Sequence, residues 1–208
     1  MDNAIEIRNI SKSYQHKNIL NNLSLYIPTG SVFGLLGRNG EGKTTLIKCL
    51  LGLLNISSGE ISVLSDTPWH LKNITKERIG YVPQSDRIYP WLTVDQLINY
   101  TASFYKQWNV PLVERLLNEW NVNKNDVLGT LSEGQAQKVS IILALGHEPQ
   151  LLILDEPVAS LDPLARRQFI KTILEIVANR NCTIFFSTHI TADLERVADH
   201  VALLKNGG

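Results

Sequence analysis

Residues 37–45 read Gly-Arg-Asn-Gly-Glu-Gly-Lys-Thr-Thr. Gly37, then four residues, then Gly42-Lys43-Thr44 is a spacing suited to gripping phosphate. Glycines at 37, 40 and 42 permit backbone dihedrals that side chains forbid, so N–H groups can close around phosphate oxygens. Arg38, Asn39, Glu41 and Thr45 complete the predicted contact set. Lys43 can reach the β- and γ-phosphates as a mobile point charge. Thr44 offers a hydroxyl to Mg²⁺, an ion that keeps most of its waters.

A second reactive pair is Asp155-Glu156, at the end of the apolar run Leu151-Leu152-Ile153-Leu154. In a doubly wound sheet the carboxyl ends of the strands line the ligand crevice. Asp155 is then placed to hold Mg²⁺ through water, and Glu156 to polarise an attacking water. Alone, such an acidic pair reads as a solvated strand end. Together with the glycine loop it points to phosphoryl hydrolysis driven by positioning and charge neutralisation.

These groups need elements to hold them. Residues 31–36 read as a buried strand ahead of the loop and 45–51 as a helix behind it, so the helix dipole adds partial positive charge where phosphate would sit. Residues 4–10 and 23–27 alternate in polarity, as half-buried antiparallel strands do. Further strands are expected at 60–64, 79–82, 151–154, 183–187 and 201–204. From about 88 to 130 helical spacing takes over, broken at Asn109-Val110-Pro111. This segment and the helix after it form a helical lobe (about 88–145). Six aromatics fall between 89 and 108 (Tyr89, Trp91, Tyr100, Phe104, Tyr105, Trp108); most are expected in the core of that lobe. Ser132 through Gln135 has the form of a capping box opening a helix to about Leu145. Asp162-Pro163 is an N-cap with proline at the first helical position, for a helix to about Val177. Thr191–Ala198 reads as a last helix. The sum is an α/β fold: a P-loop core with a mostly parallel sheet, an N-terminal antiparallel β subdomain and the inserted helical lobe.

Composition narrows the function classes. Lys+Arg and Asp+Glu are both 20, for a net charge of zero, so no nucleic-acid partner is expected. Hydrophobic residues at 44% support a packed core. Cys49 and Cys182, the only cysteines, imply neither a disulfide framework nor a metal cluster and fit a reducing compartment. The start, residues 1–6, lacks a signal-peptide pattern. No apolar run approaches the ~20 residues that span a bilayer.

In series, these residues resemble the nucleotide-binding subunit of the ATP-binding cassette (ABC) transporter family. Leu131-Ser132-Glu133-Gly134-Gln135 is similar to its signature motif, usually Leu-Ser-Gly-Gly-Gln. Ser160-Leu161-Asp162 resembles the D-loop, Gln84 the Q-loop, His189 the switch histidine, and Tyr14 the aromatic that stacks on adenine. The resemblance runs from about residue 4 to 206. It implies ATP and Mg²⁺ as cofactors, with Gln84 joining Thr44 and Asp155 at the metal, and Glu156, His189 and Gln84 as the catalytic set. It also implies that Ser132, Gly134, Gln135 and Asp162 face a nucleotide held by a second cassette subunit, in a head-to-tail dimer of identical or different chains. A separate integral membrane subunit would complete the assembly, with this chain cytoplasmic on the inner membrane face. Two departures stand out: Glu133 replaces the first signature glycine, and Lys138 stands where arginine is common. Relatives continue beyond residue 208, so a C-terminal piece is expected to be missing.

The stretch from Leu151 to Arg167 looks like the cassettes of bacterial multidrug or antibiotic exporters. An importer subunit is the alternative. A soluble cassette protein of translation or DNA repair is a further alternative, though such proteins usually carry a second cassette or a long coiled-coil insertion, which this sequence lacks.

Overall fold

The computed structural model describes residues 2–15, 17–84, 89–180 and 182–208. Residues 1 and 88, the expected starts of the domain and of the lobe, lie outside them.

Alternating polarity at the N-terminus builds a long hairpin, β1 (Asn3–Tyr14) against β2 (Lys17–Pro28), with β4 (Ser58–Val63) antiparallel on the other side of β1. Ile5 pairs with Ile27 and Val63, and Ile7 with Leu25 and Ile61, so one apolar row crosses all three strands. The second sheet is parallel, in the order β5 (Ile79–Val82), β6 (Leu151–Asp155), β7 (Thr183–Thr188), β3 (Val32–Leu36), β8 (His200–Leu203). Every residue of β6 and β7 is buried, as strands covered on both faces require.

Alternate residues of these central strands feed two cores. Leu151, Ile153 and Phe185 face the antiparallel sheet and α1 (Lys43–Leu50), where Leu46, Ile47 and Leu50 are fully buried. Leu152, Leu154, Ile184 and Phe186 face the helical side. A short α2 (Asn73–Lys76) precedes β5. The helical side holds α3 (Val94–Ala102), α4 (Val110–Glu119), α5 (Glu133–Gly146) and α6 (Pro163–Arg180). The break at 109–111 is a capped start: the Asn109 side chain accepts the Leu112 N–H, and Pro111 sits in the first turn.

Two expectations need correction. The helix over Thr191–Ala198 is only α7 (Thr191–Leu194), followed by a turn. Asp199 is drawn onto β3 instead: its N–H donates to the Val32 carbonyl at 2.8 Å, and its Oδ2 accepts the Val32 N–H at 2.8 Å. That pairing commits the chain to β8 and stops the helix. Most of the six aromatics are not core residues either; of them Trp108 packs against the core. Trp91 is 71% exposed, Tyr100 and Phe104 are exposed, and Tyr89, Tyr105 and Trp108 are half-buried. In α3 the core takes only Val94 and Ile98, one turn apart on one face, which leaves Tyr100 outside.

Candidate functional site

The glycine loop joins β3 to α1. Gly40 and Gly42 have φ of 86° and 106°, in the left-handed region. Gly37 serves differently: a Cβ there would lie 3.0 Å from the Leu204 carbonyl oxygen and 3.5 Å from the Lys43 side chain. Gly42 is the N-cap of α1, so no side chain caps this helix and no acidic residue lies in its first turn. The N–H groups there have no side-chain substitute for an anion.

Lys43 is 6% exposed and folds back over the loop. Its Nζ donates to the Gly37 carbonyl at 2.6 Å and to the Arg38 carbonyl at 3.2 Å. It also lies 3.0 Å from Glu156 Oε1, an ion-pair contact without hydrogen-bond geometry. Glu156 is 4% exposed, with φ of 49°, a left-handed conformation costly for a residue with a side chain. The backbone holds it there: its N–H reaches both the carbonyl and the Oγ of Ser187, at 3.2 and 3.1 Å. The Glu156 Oε2 meets His189 Nδ1 at 2.8 Å. A lysine, a carboxylate and an imidazole therefore stand in line from the loop outward.

Asp155 sits beside them, 1% exposed. Its Oδ1 accepts the Ser187 hydroxyl at 2.6 Å, while Oδ2 is buried with no protein partner among the described residues. An unpartnered anionic oxygen in such a place is costly, and a cation would relieve it.

Beside the loop is a cavity of about 400 Å³. Asn39, Gly40, Gly42, Lys43, Thr44 and Thr45 line it, with Gln84, Glu156 and Ile19. Arg38 is exposed nearby, and the Glu41 side chain is not part of the lining. Tyr14, 44% exposed at the end of β1, does not line the cavity either; Lys12 Nζ lies 5.0 Å from its ring centroid.

The Ser132–Gln135 turn contributes nothing to this cavity. It forms the predicted capping box in full: the Gln135 N–H donates to Ser132 Oγ at 3.2 Å, and the Ser132 N–H to Gln135 Oε1 at 3.0 Å. A Cβ on Gly134 would stand 3.0 Å from the Ser160 carbonyl oxygen, so this turn packs on the Ser160–Asp162 segment. Glu133 is exposed, and Lys138 Nζ donates to the Trp120 carbonyl at the end of α4, at 3.2 Å. Asp162 caps α6 as expected, its Oδ1 accepting the Leu164 and Ala165 N–H groups at 2.9 Å each. The Ala165 bond first, then Leu164, holds its carboxyl below the usual range.

Sequence reasoning missed Ser187, which bonds the Asp155 carboxylate and the Glu156 backbone N–H, and Ile19. For Ser187 the signal was a polar pair, Ser187-Thr188, closing an apolar strand. In the sheet Ser187 pairs in register with Asp155.

A strand, a glycine loop and an uncapped helix, with the lysine turned towards a strand-end glutamate, define an α/β protein of the P-loop nucleotide-binding class. A family model described as "ABC transporter" matches residues 20–159. The bacitracin transport ATP-binding protein BcrA of Bacillus licheniformis is 32% identical over 210 residues, covering 100% of this chain and 68% of that protein. The Nod factor export ATP-binding protein I of Burkholderia orbicola is 34% identical over 211 residues, covering 98% of this chain and 68% of its own length. A solved structure described as the ATP binding subunit of an ABC transporter superposes with a TM-score of 0.88 at 31% identity, covering 98% of this chain and 87% of that one. The chain belongs to the ABC transporter family and carries that family's ATP-binding ATPase domain. It spans 61% of the length of one curated relative and 68% of several others.

Proposed function

We propose that residues 1–208 form one ATPase domain, helical lobe included, that hydrolyses Mg-ATP to power export of a small molecule, drug or peptide through a separate membrane subunit. The observation that carries the hydrolytic reading is Glu156, pinned between Lys43 and His189 at the end of β6 beside the loop cavity.

The chain's own groups divide the work. The loop N–H groups and Lys43 grip the β- and γ-phosphates, which means Lys43 must leave the Gly37 and Arg38 carbonyls for the nucleotide. That departure frees Glu156 Oε1 to accept a proton from the attacking water. His189, still bonded to Oε2, orients the carboxylate and reaches the γ-phosphate. The unpartnered Asp155 Oδ2, with the Thr44 hydroxyl and Gln84, suits Mg²⁺ as metal-side groups. When bound, the ion neutralises charge on the transferred phosphoryl group. Arg38, Asn39, Gly40 and Thr45 frame the phosphates, and Tyr14 must move to reach an adenine ring.

The Ser132–Gln135 turn and Asp162 act on a nucleotide held by a second cassette subunit. Their absence from the loop's own cavity supports this two-chain site. ATP then bridges two subunits, and dimerisation becomes ATP-dependent by mass action.

Export is supported by the relative that serves Nod factor export, and transport more broadly by the one that serves bacitracin transport. Among the described residues no helix is long and apolar enough to cross a membrane. We place the chain on the cytoplasmic membrane face, docked through the lobe. A cavity of about 400 Å³ opens there, walled by Tyr89, Tyr100, Tyr105, Leu97 and Leu143. Trp91, Tyr89, Tyr100 and Phe104 form a ladder of edge-to-face rings beside it, with centroids 5.0 to 5.8 Å apart. Such an aromatic-walled groove fits an apolar helix of the membrane subunit.

The test is Mg-ATP hydrolysis by purified protein, with oligomeric state followed by light scattering. Hydrolysis by the wild type, with a stable ATP-bound dimer of Glu156→Gln, is the expected result. A Glu156→Gln variant turning over at the wild-type rate overturns the assigned base. Glu156→Gln protein that stays monomeric under saturating Mg-ATP overturns the shared site.

A further inference from the structure

Glu41 breaks the chemistry of its own loop. It puts a carboxylate between Gly40 and Gly42, in a segment otherwise built to attract phosphate. Yet its side chain stays out of the loop cavity. Its Oε2 instead accepts the backbone N–H of Asn206, in the turn beyond β8.

That turn meets the loop at more than one point. A Cβ on Gly37 would lie 3.0 Å from the carbonyl of Leu204, which itself donates its N–H to Leu36 at 2.7 Å. The Ile19 carbonyl is enclosed from both sides: a Cβ on Gly42 would stand 3.1 Å from it, and one on Gly207 only 2.4 Å. Gly207 has φ of 85°, and its carbonyl accepts the Asn21 N–H at 2.7 Å. Asn21 Nδ2 donates to the Asn206 carbonyl at 3.0 Å. Loop, β2 and the turn after β8 thus close around one peptide group, and the Glu41 to Asn206 bond is the sole side-chain link from the turn to the loop among the described residues.

We propose that this bond is a latch: Glu41 is a positioning residue that draws its own charge away from the phosphates and fixes the loop in its anion-accepting shape. The proposal rests on the ATP-binding reading of the same loop. A loop already held in the bound shape loses less conformational freedom when the ligand arrives, so the latch acts on affinity. It touches none of the groups at the γ-phosphate, so the chemical step is spared.

Affinity for Mg-ATP by titration calorimetry, kcat and KM for hydrolysis, and thermal melting test it on three variants. Glu41→Gln keeps an oxygen acceptor and loses the charge; its affinity should stay near wild type. Glu41→Ala removes the acceptor and should weaken binding roughly tenfold, with KM raised in step and kcat unchanged. Gly207→Ala forces the turn off the Ile19 carbonyl and should weaken binding similarly, while the double variant adds no further loss. Tighter binding in both Glu41 variants would mean the carboxylate simply repels nucleotide, and the latch is wrong. A lower melting temperature for Glu41→Ala with unchanged affinity reduces the bond to a structural tie, and additive losses in the double variant disconnect Glu41 from the turn. Wild-type protein that binds no Mg-ATP overturns the ATP reading itself, a different failure from any of these.

Discussion

The N-termini of α1 and α5 are both suited to anions, and they are built in opposite ways. Gly42 caps α1 with no side chain, no acidic residue follows in the first turn, and the nearest cation is the buried Lys43. Ser132 caps α5 with a complete box, and Glu133 already supplies a negative charge in its first turn. One terminus is left open at a cost in helix stability, and the other is satisfied from within. The difference teaches an order of events. An anion should bind α1 strongly and first. The α5 turn retains fewer unmet donors and should join only a nucleotide already held elsewhere.

The sharpest break in this comparison lies on the α1 side. Glu156→Gln should lower ATP turnover on the order of 10²–10⁴-fold while nucleotide binding persists, because the lost group acts as a base. Steady-state hydrolysis beside nucleotide titration checks it; parallel loss of binding and turnover would mean Glu156 only supports the loop. Lys43→Ala comes next. It removes a charged donor to phosphate and should weaken Mg-ATP binding about 10- to 100-fold. It also strands the Glu156 carboxylate, buried beside an empty space, so melting temperature should fall as well. Unchanged affinity in a folded Lys43→Ala protein would place phosphate elsewhere.

The contrast between these ends was largely legible in the sequence. Loop, capping box and the Asp162 cap are local patterns, in which a side chain bonds a backbone group within a few residues, and each forms as read. The rule that strand ends share a crevice brought Asp155 and Glu156 to the loop, while His189 was legible only through the family resemblance. What failed depended on neighbours distant in sequence. Ser187 matters only because β7 lies beside β6 in the register that opposes it to Asp155. Asp199 ends α7 because β3 claims its carboxylate and N–H. Tyr100 and Phe104 were expected in the core, yet α3 turns Val94 and Ile98 into the core and Tyr100 and Phe104 stay exposed. Ile19, which lines the loop cavity from the hairpin, had no local signal of its own.

On the α5 side effects should be smaller and of a different kind. Ser132→Ala removes the cap, which costs about 1 kcal/mol of stability. Nucleotide binding to the isolated subunit should not change, because the turn lies outside the loop's cavity. The ATP-dependent dimer, followed by light scattering with Glu156→Gln as the background, should weaken. A Ser132→Ala subunit with impaired monomer binding would erase the distinction between the two termini.

Glu133 gives the finest test. Its carboxylate favours the positive end of α5 in the lone subunit, a contribution of about 0.3–1 kcal/mol. In the proposed dimer the same charge approaches a triphosphate and opposes closure. Glu133→Gln separates the two roles, because it leaves the backbone and the Ser132–Gln135 box intact. The lone subunit should melt slightly lower, while the ATP-bound dimer should become a few-fold tighter, as expected for relief of a solvent-screened repulsion. Since Glu133 is exposed, that gain should shrink as salt rises over a range in which the Debye length falls from about 30 to 8 Å. Sedimentation velocity at two ionic strengths reads both dimer strength and its salt dependence. A dimer indifferent to Glu133→Gln at low salt would mean that the α5 turn never nears the partner's phosphates.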